Sequence, residues 1–189
     1  MNGKYLQGKL VKLCSPADAE SMAKAWSRWN RDMDYYRPLD SDPPRFFSTK
    51  IIKDWEDKGQ EKVDSDSFFF TVRTLQDDCL IGFTALWEIS WPHGEAFVSI
   101  GIGEAEYRGK GYGTDAMQLT LEYVFEELNL WRVSLIVFEY NPRAIRSYEK
   151  CGFVKEGVIR EVMRRDGKRW NWYIMGVLRP EWQALRLAE

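Results

Sequence analysis

Residues 108–114 read Arg-Gly-Lys-Gly-Tyr-Gly-Thr, three glycines and two cations between an alternating stretch and a helical one. Such a turn suits an anion. The first turn of a helix leaves its N–H groups unpaired, and the peptide dipoles add partial positive charge there. Glycine lets an oxygen reach those amides with no Cβ in the way. Gly109, Lys110, Gly111, Tyr112, Gly113 and Thr114 are therefore candidate backbone ligands for a pyrophosphate, with Arg108 and Lys110 as rim charges. The same residues equally suit an ordinary strand-to-helix turn with a basic surface. Two known phosphate motifs do not fit. The glycines run G-x-G-x-G rather than the dinucleotide G-x-G-x-x-G, and Gly109-Lys110 is followed by Gly111 with Glu104 upstream, so no P-loop is present.

A second set lies on residues 141–153, NPRAIRSYEKCGF. Asn141 ahead of Pro142 has the form of a helix N-cap, and Gly152 that of a stop. Tyr148 shares a helix face with Ala144 and Cys151 at spacings of four and three, directed at the rest of the fold. A phenol with a pKa of about 10 is protonated at neutral pH and can donate a proton; a packed core tyrosine is the plainer reading. Cys151 has no histidine nearby and reads as a buried apolar residue. Trp29, Tyr35 and Tyr36 lie beside Asp32 and Asp34 in an aperiodic stretch, 29–47. They could form an aromatic, acidic pocket for a cationic amine, or simply pin a long loop to the body.

The elements that must position these residues can be read from periodicity. Residues 97–103 alternate, with Val98, Ile100 and Ile102 on one face and Phe97, Ser99, Gly101 and Gly103 on the other, so a strand is expected. Glycines in a strand mark a bulge or a close approach of a backbone or ligand. Ala116, Leu119, Thr120, Tyr123, Val124 and Leu128 form one helical stripe after the turn. Strands are expected at 5–13, 67–74, 80–89, 132–138, 153–162 and 170–177, the last two as a hairpin around Asp166-Gly167. Helices are expected from Ser15-Pro16 to about Arg28, from Ser48 to Gly59, and over 142–151. The order predicts a single mixed α/β domain over 1–189, a mostly antiparallel sheet of about seven strands flanked by about four helices.

Composition narrows the function. A net charge of −2 gives no support to nucleic-acid binding, and no apolar run approaches ~18 residues, so no membrane role is expected. Cys14, Cys79 and Cys151 are isolated and His93 is the only histidine, so no metal site is expected. The chain reads as cytoplasmic. Nine tryptophans are unusual; a large aromatic core is the plain reading, several aromatics lie in polar stretches, and exposed tryptophans would suit a homodimer contact.

Arg108-x-x-Gly111-x-Gly113 resembles the acetyl-coenzyme-A-binding motif of the GNAT superfamily of N-acetyltransferases. Residues 141–153 match at every fixed position the family's N-x-x-A-x-x-x-Y-x-x-x-G-F pattern. Glu156-Gly157, the 166–167 turn and Met175…Glu181-Trp182 are similar to the subgroup of ribosomal-protein N-terminal acetyltransferases. The resemblance covers most of 5–182. It implies the GNAT-like fold, with a bulged strand splayed at the cofactor site. There Ile100, Gly101 and Ile102 would line the pantetheine arm, and nearby N–H groups would meet the thioester oxygen. It also implies that Asn141 touches that arm and that Tyr148 protonates the departing thiolate.

The expected activity is acetyl transfer from acetyl-CoA to a primary amine by direct attack in a ternary complex. The acceptor would be a protein N-terminal amine or a small polyamine or aminoglycoside. A non-catalytic acyl-CoA sensor is the alternative. Glu88, Glu95 and Glu104 flank the expected reaction centre, and nothing selects a base among them. The subgroup often carries aspartate where this chain has Asn171, four residues before Met175.

Overall fold

The computed structural model describes residues 6–15, 19–60 and 66–187. Its elements are β1 (Val11–Cys14), α1 (Ala19–Trp29), α2 (Met33–Leu39), α3 (Thr49–Gln60), β2 (Phe68–Thr74), β3 (Leu80–Ser90) and β4 (Glu95–Ile102). There follow α4 (Tyr112–Glu122), β5 (Arg132–Phe138), α5 (Pro142–Lys150), β6 (Val154–Arg165), β7 (Lys168–Leu178) and α6 (Arg179–Leu187). The seven strands make one sheet in the order β1-β2-β3-β4-β5-β7-β6. All neighbours are antiparallel except β4 and β5.

The strand count and mixed sheet agree with the sequence reading, but six helices form rather than about four. The expected start of α1 at Pro16–Asp18 lies outside the described residues. Ser48 caps α3 as expected, its Oγ accepting the Ile51 N–H at 3.3 Å. α2 stands in the stretch that showed no period. It is only seven residues long and carries Pro38, and Asp32 caps it by accepting the Asp34 N–H at 2.9 Å. The 166–167 turn has left-handed φ at both residues (54° and 72°), the geometry that favours glycine in a two-residue hairpin.

α4 and the π-helical turn that follows it, Tyr123–Glu127, are buried on more than the expected stripe. Ala116 and Leu119 pack with β1 and β2 residues, while Met117, Leu121, Val124 and Phe125 pack with β5, β7 and Trp182 of α6. Phe125 and Trp182 stand 5.1 Å apart. Asp115, in the first turn of α4, is buried and accepts the N–H groups of Lys9, Leu10 and Val11 at 3.0, 2.7 and 3.0 Å. One carboxylate thus fastens the edge strand β1 to the helix that opens the site.

The other face of the sheet carries α1 and α2. Here Gly101 of β4 and Gly103 just after it have a definite role. A Cβ at Gly103 would lie 2.0 Å from the Trp29 ring, and one at Gly101 would lie 3.0 Å from the Tyr35 hydroxyl. What comes close at these glycines is the chain's own aromatic rings. The bulge also differs from expectation. β4 pairs one-to-one with β3 from Phe97 to Ile102, and the extra residue is Glu88 on β3, with φ of +50°.

Gly103→Ala should drive a methyl into the Trp29 ring and cost about 3 kcal/mol, a fall in Tm of roughly 6–12 °C for a chain of this size. Thermal unfolding followed by circular dichroism checks it. Asp115→Ala leaves three partly buried amides without an acceptor and should cost about as much. An Asp115→Ala chain that melts with the parent would show that β1 is held by other means.

Candidate active site

β4 and β5 share a parallel ladder only over Glu95–Phe97 and Arg132–Ser134. Beyond Phe97 and Ser134 they part, and a cavity of about 760 Å³ opens between them. The Gly103 N–H donates to Ile81 O on β3 at 2.8 Å. Strand alternation therefore turns the N–H groups of Ile100 and Ile102 the opposite way, into the gap.

Most of the residues singled out in the sequence meet here. Ile100, Gly101, Ile102, Arg108, Gly109, Gly111, Gly113, Thr114, Asn141 and Tyr148 all line the cavity. Gly109 and Gly111 have φ of +74° and +93°, and a Cβ at Gly109 would meet nothing within 4 Å, so the turn is open. Gly111 caps α4, whose first N–H groups have no partner within the helix. Thr114 Oγ1 lies 2.8 Å from Ser147 Oγ and ties the start of α4 to α5. Asn141 caps α5 by accepting the Ala144 N–H at 3.2 Å, and its Nδ2 donates to Pro38 O at 3.5 Å.

Lys110 is exposed, and the Tyr112 ring packs edge-on against Tyr107 at 5.0 Å, so neither side chain lines the cavity, while their backbone stands at the start of α4. One expectation changes. Arg108 is not a rim charge. Its side chain is only 8% exposed and pairs with Asp32 at 2.8 Å. Its Nε donates to Ile102 O at 2.9 Å and its Nη2 to Gly103 O. Burial works against the Asp32 carboxylate, but the guanidinium beside it outweighs burial and holds its pKa below the usual range. The cations that do face the cavity are Arg143, Arg146 and Lys150, one face of α5. Their spacing of three and four is visible in the sequence, inside a motif read for its other positions.

Tyr148 stands on the α5 side, its ring edge-on to Phe153 at 5.9 Å. Burial, with Cys151 adding to it, pushes its phenol up to about 12. The hydroxyl therefore keeps its proton through neutral and mildly alkaline pH.

On the opposite face the cavity is closed by α2 and the residues after it. Trp29 and Tyr35 are buried against β4, Asp32 is committed to Arg108, and Tyr36 Oη donates to Asp40 at 3.4 Å. The aromatic residues of 29–47 thus mainly pin the segment, and Asp34 and Asp40 are the carboxylates lining the cavity. Glu88, Glu95 and Glu104 do not line it. Glu104 accepts the Trp29 Nε1 proton at 2.9 Å, and Glu95 lies 3.5 Å from Arg132. α2 is held by the hairpin tip. Tyr140 Oη donates to Arg37 O at 2.7 Å, and Arg165 donates to the carbonyls of Arg37, Asp40 and Ser41. Asn171 serves the same hairpin, its Oδ1 accepting the Glu161 N–H at 2.8 Å where β6 bulges. A neutral amide meets that need. Among the described residues no group of three potential metal ligands occurs, and no helix is long and apolar enough to cross a membrane.

Comparison with known proteins agrees with this geometry. Spermidine N(1)-acetyltransferase of Vibrio cholerae is 38% identical over 99 residues, 52% of this chain and 56% of its own. A Bacillus subtilis protein named "Putative ribosomal N-acetyltransferase YdaF" is 25% identical over 176 residues, 92% of this chain and 93% of its own. The crystal structure of spermidine N-acetyltransferase from Vibrio cholerae in complex with CoA and spermine matches with a TM-score of 0.74 at 27% identity. That match covers 92% of this chain and 96% of that one. A family profile described as an acetyltransferase (GNAT) domain matches residues 9–154, and the chain belongs to that family of N-acetyltransferases.

Proposed function

We propose that the chain transfers an acetyl group from acetyl-CoA to a primary amine by direct attack in a ternary complex. The observation that carries this is the gap between β4 and β5, which joins a cationic, amide-lined face to a second face closed by α2. A cofactor arm laid along the free edge of β4 would present its thioester to both faces.

The residues fit that group. The unpaired amides at the start of α4, approached over Gly109 and Gly111, take the pyrophosphate. Arg143, Arg146 and Lys150 supply positive charge alongside, and Asn141 stands at the mouth between α2 and α5. Acetyl-CoA supplies the activated acyl carbon; the rest is done by the chain. The N–H groups of Ile100 and Ile102 are fixed donors for the charge that develops on the thioester oxygen. As the amine lone pair forms the C–N bond and the C–S bond breaks, Tyr148 Oη gives its proton to the leaving sulfur. The amine's surplus proton passes to water. Arg108, by clamping Ile102 and Gly103 to Asp32, positions the donor strand.

Thiol release from acetyl-CoA against a panel of amines tests the proposal. Cofactor binding with no release for any amine would favour the sensor reading. Tyr148→Phe should lower kcat by about 10²-fold or more with little change in KM for acetyl-CoA, and equal turnover would remove Tyr148 from the chemistry. Because the phenol is raised to about 12, the parent's kcat should not fall between pH 8 and 10. A fall there would point to another acid. Lys150→Glu and Arg146→Glu should each raise KM for acetyl-CoA about tenfold. Arg108→Glu should instead lower Tm, since it sets a carboxylate against Asp32.

A further inference from the structure

The side chains of Thr114 and Ser147 meet hydroxyl to hydroxyl at 2.8 Å, and acetyl transfer as proposed leaves this pair without a task. Each belongs to a different end of the chemistry. Thr114 is the third residue of α4 after the Gly111 cap, so its own N–H is one of the first-turn amides without a partner inside the helix. Ser147 is joined by one peptide bond to Tyr148. Both residues line the cavity. A further contact falls on the same threonine. Cys151 Sγ, a turn beyond Ser147, donates to Thr114 O at 3.7 Å. The two helices are not held alike. α4 lays Ala116, Met117, Leu119 and Leu121 into the core, whereas none of the nine residues of α5 is buried. A helix that short is marginal by itself, so side contacts must fix where it lies. Asn141 caps its start, and the N–H groups of Cys151 and Phe153 close its end on Tyr148 O. Ser147 stands between those ends. A serine inside a helix is a poor helix former because its hydroxyl competes for backbone groups, and here that hydroxyl reaches across to α4.

We infer that Thr114 and Ser147 are positioning residues, whose hydrogen bond sets the distance between the glycine turn that takes the pyrophosphate and the Tyr148 hydroxyl. The inference rests on the proposed acetyl transfer and deepens it. Pyrophosphate and thioester sulfur stand at opposite ends of the pantetheine arm, so a cofactor held by its phosphates brings its sulfur to one place. The proton must wait there within hydrogen-bond reach. In this chain the two anchors lie on different elements, with β5 between them in sequence. A misplacement of about 1 Å can cost roughly 10²-fold in rate. Two hydroxyls 2.8 Å apart leave little room for such a slip. Neither hydroxyl has to touch the cofactor for this. The bond works through the α4 amides at one end and through Tyr148 at the other.

Thr114→Val, which keeps the backbone N–H, and Ser147→Ala each break the bond and supply the test. Each should lower kcat for thiol release about tenfold, while the Kd for CoA measured by calorimetry stays within about twofold. The double variant should lose no more than either single one, because both remove the same bond. Ser147→Ala placed in a Tyr148→Phe chain should cost nothing further, since the pair acts through that hydroxyl. Ser147→Thr, which keeps a hydroxyl, should recover most of the Ser147→Ala loss. Isotope-labelled tyrosine followed by NMR reads the same change in the free protein, without turnover. The Tyr148 ring signal, identified by its absence in Tyr148→Phe, should move in both Thr114→Val and Ser147→Ala. An unmoved signal would overturn the inference, as would a Ser147→Ala loss that persists in full beside Tyr148→Phe. A tenfold rise in the Kd for CoA at unchanged kcat would make the pair cofactor ligands and overturn it while acetyl transfer stands. No thiol release from the parent with any amine would end both.

Discussion

β4 and β5 are the one parallel pair in the sheet, and their ladder lasts three residues on each strand. Parallel neighbours cannot be joined by a tight turn and need a long crossover, here the segment that contains α4. The crossover begins at the far end of the parted stretch, after Ile102, so the start of α4 follows directly on the unpaired edge of β4. Separation leaves strand N–H and C=O groups without a ladder partner, a state that is costly when buried. Arg108 offsets part of that cost by taking the carbonyls of Ile102 and Gly103, while Asp32 balances its charge. The N–H groups of Ile100 and Ile102 have no such internal answer. At the glycine-turn end of the opening the acceptors are taken, while the strand N–H groups still face it.

The second face depends on contacts from distant parts of the chain. Trp29 and Tyr35 can lie on β4 only because Gly101 and Gly103 lack side chains. α2 is too short to be stable alone, and isolated helices of under about twelve residues are marginal. Its C-terminal carbonyls are gathered by Tyr140, Asn141 and Arg165, from the end of β5, the cap of α5 and the hairpin tip. The Asn141 side chain thus caps one helix and holds another. The β6–β7 hairpin acts as a brace for α2, which gives the bulge at Glu161 and its Asn171 contact a structural purpose.

How much of this could be read from the sequence follows from how local each feature is. β4, α5 and the hairpin are set by alternation, by Asn141-Pro142 and by Asp166-Gly167, signals contained within a few residues, and each formed as expected. The placement of the glycine turn and of Tyr148 at one cavity was legible for the same reason. α2 was not, because its signal is tertiary: Pro38 and three aspartates hide a helix that distant donors stabilise. Nor was the direction of Arg108. Its sequence neighbours are glycine, lysine and tyrosine, but its partner is 76 residues away in Asp32, and that pairing decides whether the charge faces the solvent or the strand. Gly101 and Gly103 mark a close approach, but not the expected one of a backbone or ligand: side-chain rings of α1 and α2 come close, and composition cannot say whose atoms approach.

A net charge of −2 in a chain with 27 basic and 29 acidic residues looks uninformative. In the fold it is a sum over two unlike surfaces. Arg143, Arg146 and Lys150 stand on α5 over one face of the gap, and Asp34 and Asp40 stand in or beside α2 over the other. The sheet between them keeps the opposite charges from cancelling where they matter. In the proposed reading the anionic co-substrate lies against the first face and the amine against the second, and the two would meet where the strands part. The same separation would keep the amine's approach clear of the cationic surface. Such segregation of charge across a split sheet needs no net charge at all, and composition averages it away.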